Sequence, residues 1–212
     1  MSARVLYHFK MSPFSRRARL ALAHKGLATV LRDAREEPTH MADVKRLSPV
    51  STLPVLVDGA HTVIDSGAIL HYLDAAYPEA PALFPADLAG RVLALETIAL
   101  VDAVLNPVVD LGSRYFPLSN SDAWEPTVAQ QRTRIDGALD RLTVLTASFG
   151  ADGAWGATEL SVVSMVLWFE GLPGRVGQNP AIARILGLGV ALPPALVAWA
   201  TPHFARADVQ AL

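Results

Sequence analysis

The segment KMSPFSRRARLAL, residues 10–22, joins the start of a helix to a concentration of positive charge. Ser12 is a candidate N-cap and Pro13 a candidate first helical residue, and the following pattern predicts a helix that stops at Gly26. Three arginines occupy its first two turns, namely Arg16, Arg17 and Arg19. Basic side chains are disfavoured there because the N-terminal end of the helix dipole is positive. Two hypotheses follow: either Ser12 only caps the helix, or an anion binds at this end.

Elements around this helix alternate between strands and helices. Apolar, β-branched runs predict strands at 4–9 and 28–33 and two strands within 53–64, around an Asp58-Gly59 turn. Helical patterns cover 38–47 and 65–77, which gives the order βαβαββα for a domain of residues 1–80. A segment rich in proline and small residues, 77–90, reads as a linker. Beyond it, residues 87–212 are predicted to form an all-α domain, with helices at 87–111, 125–149, 158–171, 179–187 and 193–206.

Composition narrows the class of protein. The 212 residues are 51% hydrophobic and 18% charged, which favours a globular protein with a substantial core. A net charge of −2 argues against a nucleic-acid partner. The chain contains no cysteine, so a cysteine nucleophile and a thiolate metal site are excluded, and the histidines suggest no metal cluster. Apolar runs at 92–109 and 160–169 are interpreted as too short or too charged to span a bilayer, so we expect a cytoplasmic protein without a membrane partner.

Two further segments predict binding geometry. In TLPVL, residues 52–56, Pro54 precedes an apolar strand, and a cis Leu53–Pro54 bond would leave the Leu53 backbone open to pair with a peptide-like ligand. An ordinary trans strand start is the alternative. In DSGAIL, residues 65–70, Asp65 and Ser66 begin a helix and could simply cap it. The same positions could bind a carboxylate and an ammonium group of an amino-acid ligand.

Together, in this order, these segments resemble those of the glutathione transferase family, over essentially the whole chain. SPFSRRARLAL is similar to the segment of its Ser- and Cys-type classes (zeta, theta and omega), TLPVLVDG to its cis-proline segment, and DSGAILHYLDAAYP to its acidic-Ser segment. The resemblance implies a thioredoxin-like N-terminal domain, an all-α C-terminal domain, and glutathione as co-substrate with no metal. It also implies a cytoplasmic homodimer acting in detoxification.

Site residues follow from the resemblance. Ser12 would face the glutathione thiolate, with Tyr7 as the rival catalytic residue because Tyr-type classes place their hydroxyl at that strand end. Glutathione would also contact Phe14, Leu53, Pro54, Asp65 and Ser66. Many relatives carry a basic residue where this chain has Thr52, so the partner of the glycine carboxylate stays open. The candidates are His40, Lys45 and Arg46.

Three functions remain open at this point. The first is transfer of glutathione to a small hydrophobic electrophile, whose site would be lined by Val104, Asn106, Val108, Tyr115 and Phe116. The second is a zeta-like glutathione-dependent isomerase, although Pro13 and Phe14 depart from the zeta signature Ser-Ser-Cys. The third is a non-catalytic binding protein on the same fold.

Overall fold

The computed structural model describes residues 3–149 and 155–211, so residues 1, 2, 150–154 and 212 of the predicted domain ranges lie outside it. The described residues form two compact units. The first contains residues 3–94, 155–160 and 204–211, and the second contains residues 95–149 and 161–203. These units are groupings by packing, and the domain boundaries at 80 and 87 stay a prediction.

A four-stranded sheet organises the first unit, in the order β2-β1-β3-β4. Its strands are β1 (Val5–His8), β2 (Val30–Asp33), β3 (Val55–Asp58) and β4 (His61–Ile64). β1 runs parallel to β2 and antiparallel to β3, and β4 runs antiparallel to β3. Helices α1 (Pro13–His24), α2 (Pro38–Leu47) and α3 (Ser66–Ala76) complete the predicted order βαβαββα, which confirms the thioredoxin-like topology.

Side-chain alternation along the strands explains how helices cover both faces of the sheet. Tyr7 of β1 and Val55 of β3 pack with Val44 of α2 in one apolar cluster. Leu6 and Leu56, one residue away and directly paired, point to the opposite face and are fully buried. Since α1 packs on α3 and α3 contacts β4, these two helices cover that opposite face.

The rest of the described chain is helical. Its helices are α4 (Leu88–Gly112), α5 (Trp124–Ser148), α6 (Ala157–Glu170), α7 (Pro180–Gly187), α8 (Pro194–Ala200) and α9 (Ala207–Gln210). The predicted helix at 193–206 is α8 followed by a 3₁₀ turn, Thr201–Ala205. No strand occurs after Ile64 in the described ranges, which agrees with the predicted all-α character of this half.

The length and composition of helix α4 contradict one expectation about membranes. The run at 92–109 was expected to be too short or too charged, yet α4 is long and apolar enough to cross a membrane by length and composition alone. A core helix of a soluble protein passes the same test. One side of α4 is buried, with Val101, Val104 and Leu105 inaccessible to solvent, whereas Val92 and Leu95 on another side are exposed.

The sequence Thr158-Glu159-Leu160-Ser161 reads as a capping box in which Ser161 is a poorer partner than a carboxylate, and the structure places the cap of α6 two residues earlier. Since α6 begins at Ala157, Gly156 holds the N-cap position. Its N–H donates a hydrogen bond to Glu159 Oε2 at 2.9 Å, which is the reciprocal half of a capping box. Burial raises the pKa of Glu159, and the hydrogen bonds from Glu159's own N–H and from Gly156 oppose the rise.

Candidate functional site

Strand register brings the three predicted segments to one edge of the sheet. Tyr7 pairs with Val55 and Val55 pairs with Ile64, so Pro54 and Asp65 come one residue beyond the ladder at the carboxyl end of β1. Adjacent strands lie about 4.8 Å apart, which places the three chain segments within about 10 Å of one another at this edge. Ser12 N–H donates to Phe9 O at 3.0 Å, and this turn begins α1 at the same edge.

Ser12 is the N-cap of α1, with an extended backbone at φ −76° and ψ 130°. Its Oγ accepts a hydrogen bond from Ser15 N–H at 3.3 Å. A hydroxyl that accepts in this way still has its own proton to donate. Pro13 has no N–H, and the N–H of Phe14 has no acceptor within the helix. The start of α1 therefore offers an anion the Ser12 hydroxyl and the Phe14 N–H.

Ser15, the serine three residues after Ser12, has a different environment. Ser15 is fully buried, and its Oγ accepts a hydrogen bond from Phe9 N–H at 3.2 Å. This bond ties the end of β1 to the first turn of α1. Ser15 therefore shapes the edge, and Ser12 is the member of the pair that is accessible to a ligand.

The rival residue Tyr7 is 5% exposed, and its side chain packs on the face of the sheet that α2 covers. That hydroxyl donates to Asp43 Oδ2 at 2.9 Å and accepts from Arg32 Nη1 at 2.9 Å. Burial raises the pKa of Tyr7, and the hydrogen bond to Asp43 adds to the rise. The same hydrogen bond lowers the pKa of Asp43, which Arg46 lowers further. Tyr7 thus holds its proton within a polar network of its own.

Leu53–Pro54 is cis, as the sequence segment predicted. β3 begins at Val55, so the Leu53 backbone lies beyond the paired ladder. The Leu53 side chain packs against the cluster of Tyr7, Val44 and Val55. Its main chain is therefore held at the site edge by a partly buried side chain.

The start of α3 carries the third predicted segment. Asp65 is exposed, adopts a positive φ of 75°, and caps the helix by accepting from Ala68 N–H at 3.0 Å. Ser66 is buried, and its Oγ accepts a hydrogen bond from Arg17 Nη1 at 3.1 Å. The N–H groups of Ser66 and Gly67 begin the helix and have no intrahelical acceptors. This end can bind a carboxylate, with the Asp65 carboxylate beside it.

The sequence leaves open whether Arg17 and Arg19 are solvated or pair with the second domain, and both are buried with hydrogen-bond partners in the first unit. Arg17 is fully buried, and Arg19 is 5% exposed and donates from Nη2 to Lys10 O at 2.8 Å. Burial lowers the pKa of Arg19, while Asp33 opposes the shift. Because α1 packs against both α3 and α9, little of its surface is left for water. Sequence reasoning missed the contact of Arg17 with Ser66, since the two residues are 49 positions apart and no local pattern joins them.

The candidates for the glycine carboxylate differ in their surroundings. Arg46 forms an ion pair with Asp43 at 3.1 Å. His40 Nδ1 lies 2.8 Å from Asp33 O. Lys45 and Thr52 are exposed. The geometry therefore selects none of the three basic residues over the others.

The residues predicted to line the electrophile site have three different surroundings in the second unit. Val104 and Val108 are inaccessible core residues, so they line no surface there. Asn106 and Tyr115 border a cavity of about 460 Å³, together with Asp102, Asp110, Gln131 and Arg134. Phe116 borders another cavity of about 360 Å³, where Arg184 Cζ lies 3.8 Å from its ring centroid. Among residues 3–149 and 155–211, no group of three or more His, Cys, Asp or Glu side chains is placed to hold a metal ion.

Comparison with known proteins identifies the family. Residues 6–81 match the family model described as glutathione S-transferase, N-terminal domain. Glutathione S-transferase Z1 of Arabidopsis thaliana is 34% identical over 160 residues, which cover 70% of this chain and 68% of the relative. The chain belongs to the glutathione S-transferase family.

Two more relatives and one solved structure extend the comparison. A probable glutathione S-transferase GSTU1 of Oryza sativa subsp. japonica is 32% identical over 179 residues, covering 78% of this chain and 73% of the relative. A maleylpyruvate isomerase of Ralstonia sp. is 37% identical over 107 residues, covering 49% of each chain. A solved glutathione S-transferase of Methylobacterium radiotolerans, in complex with glutathione sulfonate, has a TM-score of 0.72 at 24% identity and covers 99% of this chain and 94% of its own. That likeness confirms the predicted fold.

Proposed function

We propose that this protein binds glutathione at the edge formed by the start of α1, the Leu53–Pro54 segment and the start of α3, and transfers its thiolate to a small electrophile. The observation that carries the proposal is the strand register, which brings these three segments together. Each of them offers a different kind of partner to a peptide-like thiol.

The start of α1 is proposed to bind the sulfur. The thiolate, not the thiol, is the nucleophile, and a thiol pKa of about 8.5 falls beside a helix N-terminus. Ser12 would donate its hydroxyl proton to the thiolate, and Phe14 would donate its N–H. Tyr7 is the weaker candidate because its proton is already donated to Asp43.

The other two segments are proposed to hold the ends of the peptide. Glutathione carries an α-amino acid end with a carboxylate and an ammonium group. The N–H groups at the start of α3 and the Ser66 hydroxyl suit the carboxylate, and the exposed Asp65 suits the ammonium. The Leu53 main chain, with Pro54 beside it, would pair with the peptide backbone as a short added strand.

Calorimetry with glutathione, followed by a conjugation assay with a generic aromatic halide, tests this proposal. We expect saturable binding and formation of the thioether product. Binding without conjugation of any of a panel of electrophiles would instead support the non-catalytic binding protein. Absence of glutathione binding would overturn the proposal.

A glutathione-dependent isomerase is the second candidate, and the similarity to a maleylpyruvate isomerase is the observation in its favour. In that reaction the thiolate adds to a double bond and later leaves, so glutathione is needed but not consumed. Incubation with maleylpyruvate and a small amount of glutathione distinguishes the two: isomerisation leaves the total thiol unchanged, whereas conjugation removes thiol one for one.

We further propose a cytoplasmic homodimer that acts in detoxification on a small hydrophobic electrophile, without metal, nucleic acid or membrane. The exposed side of α4, with Leu88 at 78% and Val92 at 52% exposure, supports a partner helix surface. Sedimentation at low micromolar concentration tests the dimer, because a single species at the monomer mass of 22.6 kDa would refute it.

A further inference from the structure

A buried guanidinium connects two of the helix starts that form the proposed site. Arg17 lies in the second turn of α1 and is fully buried. Its Nη1 donates a hydrogen bond to Oγ of Ser66, the first residue of α3, at 3.1 Å. Its Cζ lies 6.0 Å from the ring centroid of Phe14. One side chain therefore contacts residues from both the sulfur end and the amino-acid end of the site.

The direction of this hydrogen bond fixes what Ser66 can do. A serine hydroxyl has one proton and two acceptor positions, and a guanidinium can only donate. With Arg17 on one acceptor position, the Ser66 proton turns away from the guanidinium. A hydroxyl that would otherwise rotate is then held as a donor at the start of α3, where the proposed ligand carboxylate lies.

We infer that Arg17 is a positioning residue for glutathione, acting through Ser66 to orient the hydroxyl that binds the carboxylate of the amino-acid end. The inference rests on the proposed function. Arg17 has no part in the chemistry at sulfur, so its effect belongs to ligand affinity.

Arg19 provides a matched control on the same helix. It is also buried, at 5% exposure, but its guanidinium donates to the main-chain oxygen of Lys10. Replacing either arginine by methionine removes one buried charge from α1 at similar side-chain volume. Only the replacement at position 17 also releases Ser66.

A double-mutant cycle with Arg17→Met and Ser66→Ala tests the inference, with the glutathione Kd measured by calorimetry. We expect each single variant to weaken binding about tenfold, because a hydrogen bond involving an ionised group is worth more than a neutral one. The double variant should bind within about twofold of Ser66→Ala alone, since residues that act through one another are not additive. In steady-state assays KM for glutathione should rise while kcat changes little. Arg17→Lys, which keeps the charge and a donor, should restore most of the affinity.

The outcomes separate this inference from the proposed function. Wild-type protein that fails to bind glutathione overturns both. Wild-type binding with additive losses in the double variant, or an equal loss of affinity in Arg19→Met, overturns the inference alone. If circular dichroism shows that Arg17→Met does not fold, the cycle is run with Arg17→Gln, and additivity there overturns the inference in the same way.

Discussion

Replacing Ser12 by alanine and by glycine separates its two roles, as helix cap and as proposed thiolate donor. The cap bond to Ser15 N–H is long, at 3.3 Å, so Ser12→Ala should cost about 1 kcal/mol of stability or less. Ser12→Gly should cost only a few tenths of a kcal/mol, because glycine is tolerated at an N-cap. Both variants lose the hydroxyl, so both should lose about 2–4 kcal/mol of transition-state stabilisation, as when one donor to a developing anion is removed. That loss corresponds to a fall of about 30- to 1,000-fold in conjugation rate.

Conjugation rates measured against pH, together with urea denaturation of each variant, check this prediction. The apparent pKa of the bound thiol should rise toward the ordinary thiol value of about 8.5 in both variants. The two variants should therefore differ in stability but lose the same amount of activity, since glycine and alanine differ as helix caps and both lack the hydroxyl.

Tyr7→Phe provides the decisive comparison. It removes the hydroxyl that joins Asp43 to Arg32, so we expect lower stability with conjugation little changed. If instead both Ser12 variants keep activity within about threefold and Tyr7→Phe is inactive at full folding, the assignment of Ser12 is wrong, because a lost anion donor costs more than that.

Three further variants test binding and pH dependence. Asp65→Ala should raise KM for glutathione with kcat little changed, because the carboxylate lies at the amino-acid end; a large fall in kcat at saturation would contradict this. Burial and the nearby Arg19 lower the pKa of His8 to about 4, so stability should be full above pH 6.5 and decline by about 3 kcal/mol as the pH falls toward 4. His8→Leu should flatten that decline in urea melts. Glu159, whose pKa is raised by burial, acts in the opposite sense. Its contribution to the free energy of unfolding is full below about pH 4.5 and is lost as the pH rises through the folded-state pKa. Glu159→Gln should remove that loss, while the glutamine oxygen still accepts the hydrogen bond from Gly156 N–H. An unchanged dependence of stability on pH in this variant would contradict the prediction.

Local signals made much of the fold predictable. The order βαβαββα followed from short apolar strands and from caps, prolines and glycines that lie next to one another in sequence. Ser12 and Asp65 are caps because of their own side chains and the N–H groups three residues later. The cis bond at Leu53–Pro54 could be predicted because its whole sequence segment is distinctive.

Contacts between distant residues could not be predicted in this way. Arg17 and Ser66 are 49 positions apart, and Tyr7 and Asp43 are 36 apart. An arginine on a helix is ordinarily solvated, so its burial depends on elements packed around it that no window of the sequence describes. The position of the α6 cap could not be predicted either: Thr158 resembles an N-cap, but the N-cap is Gly156, two residues earlier, and the helix begins at Ala157.

The environments of Ser12 and Ser15 bear on the proposed role of glutathione, a ligand that brings its own sulfur. In a C-x-x-C helix the two sulfurs react with each other, and the protein itself carries the electrons. Here Ser15 is buried and holds the end of β1 through Phe9, while Ser12 keeps the accessible position at the helix start. The anion-stabilising end of α1 is thus preserved without a nucleophile of its own. Under the proposed function the thiolate comes from the bound ligand, and the register that aligns Pro54 and Asp65 beside β1 supplies groups suited to holding that ligand.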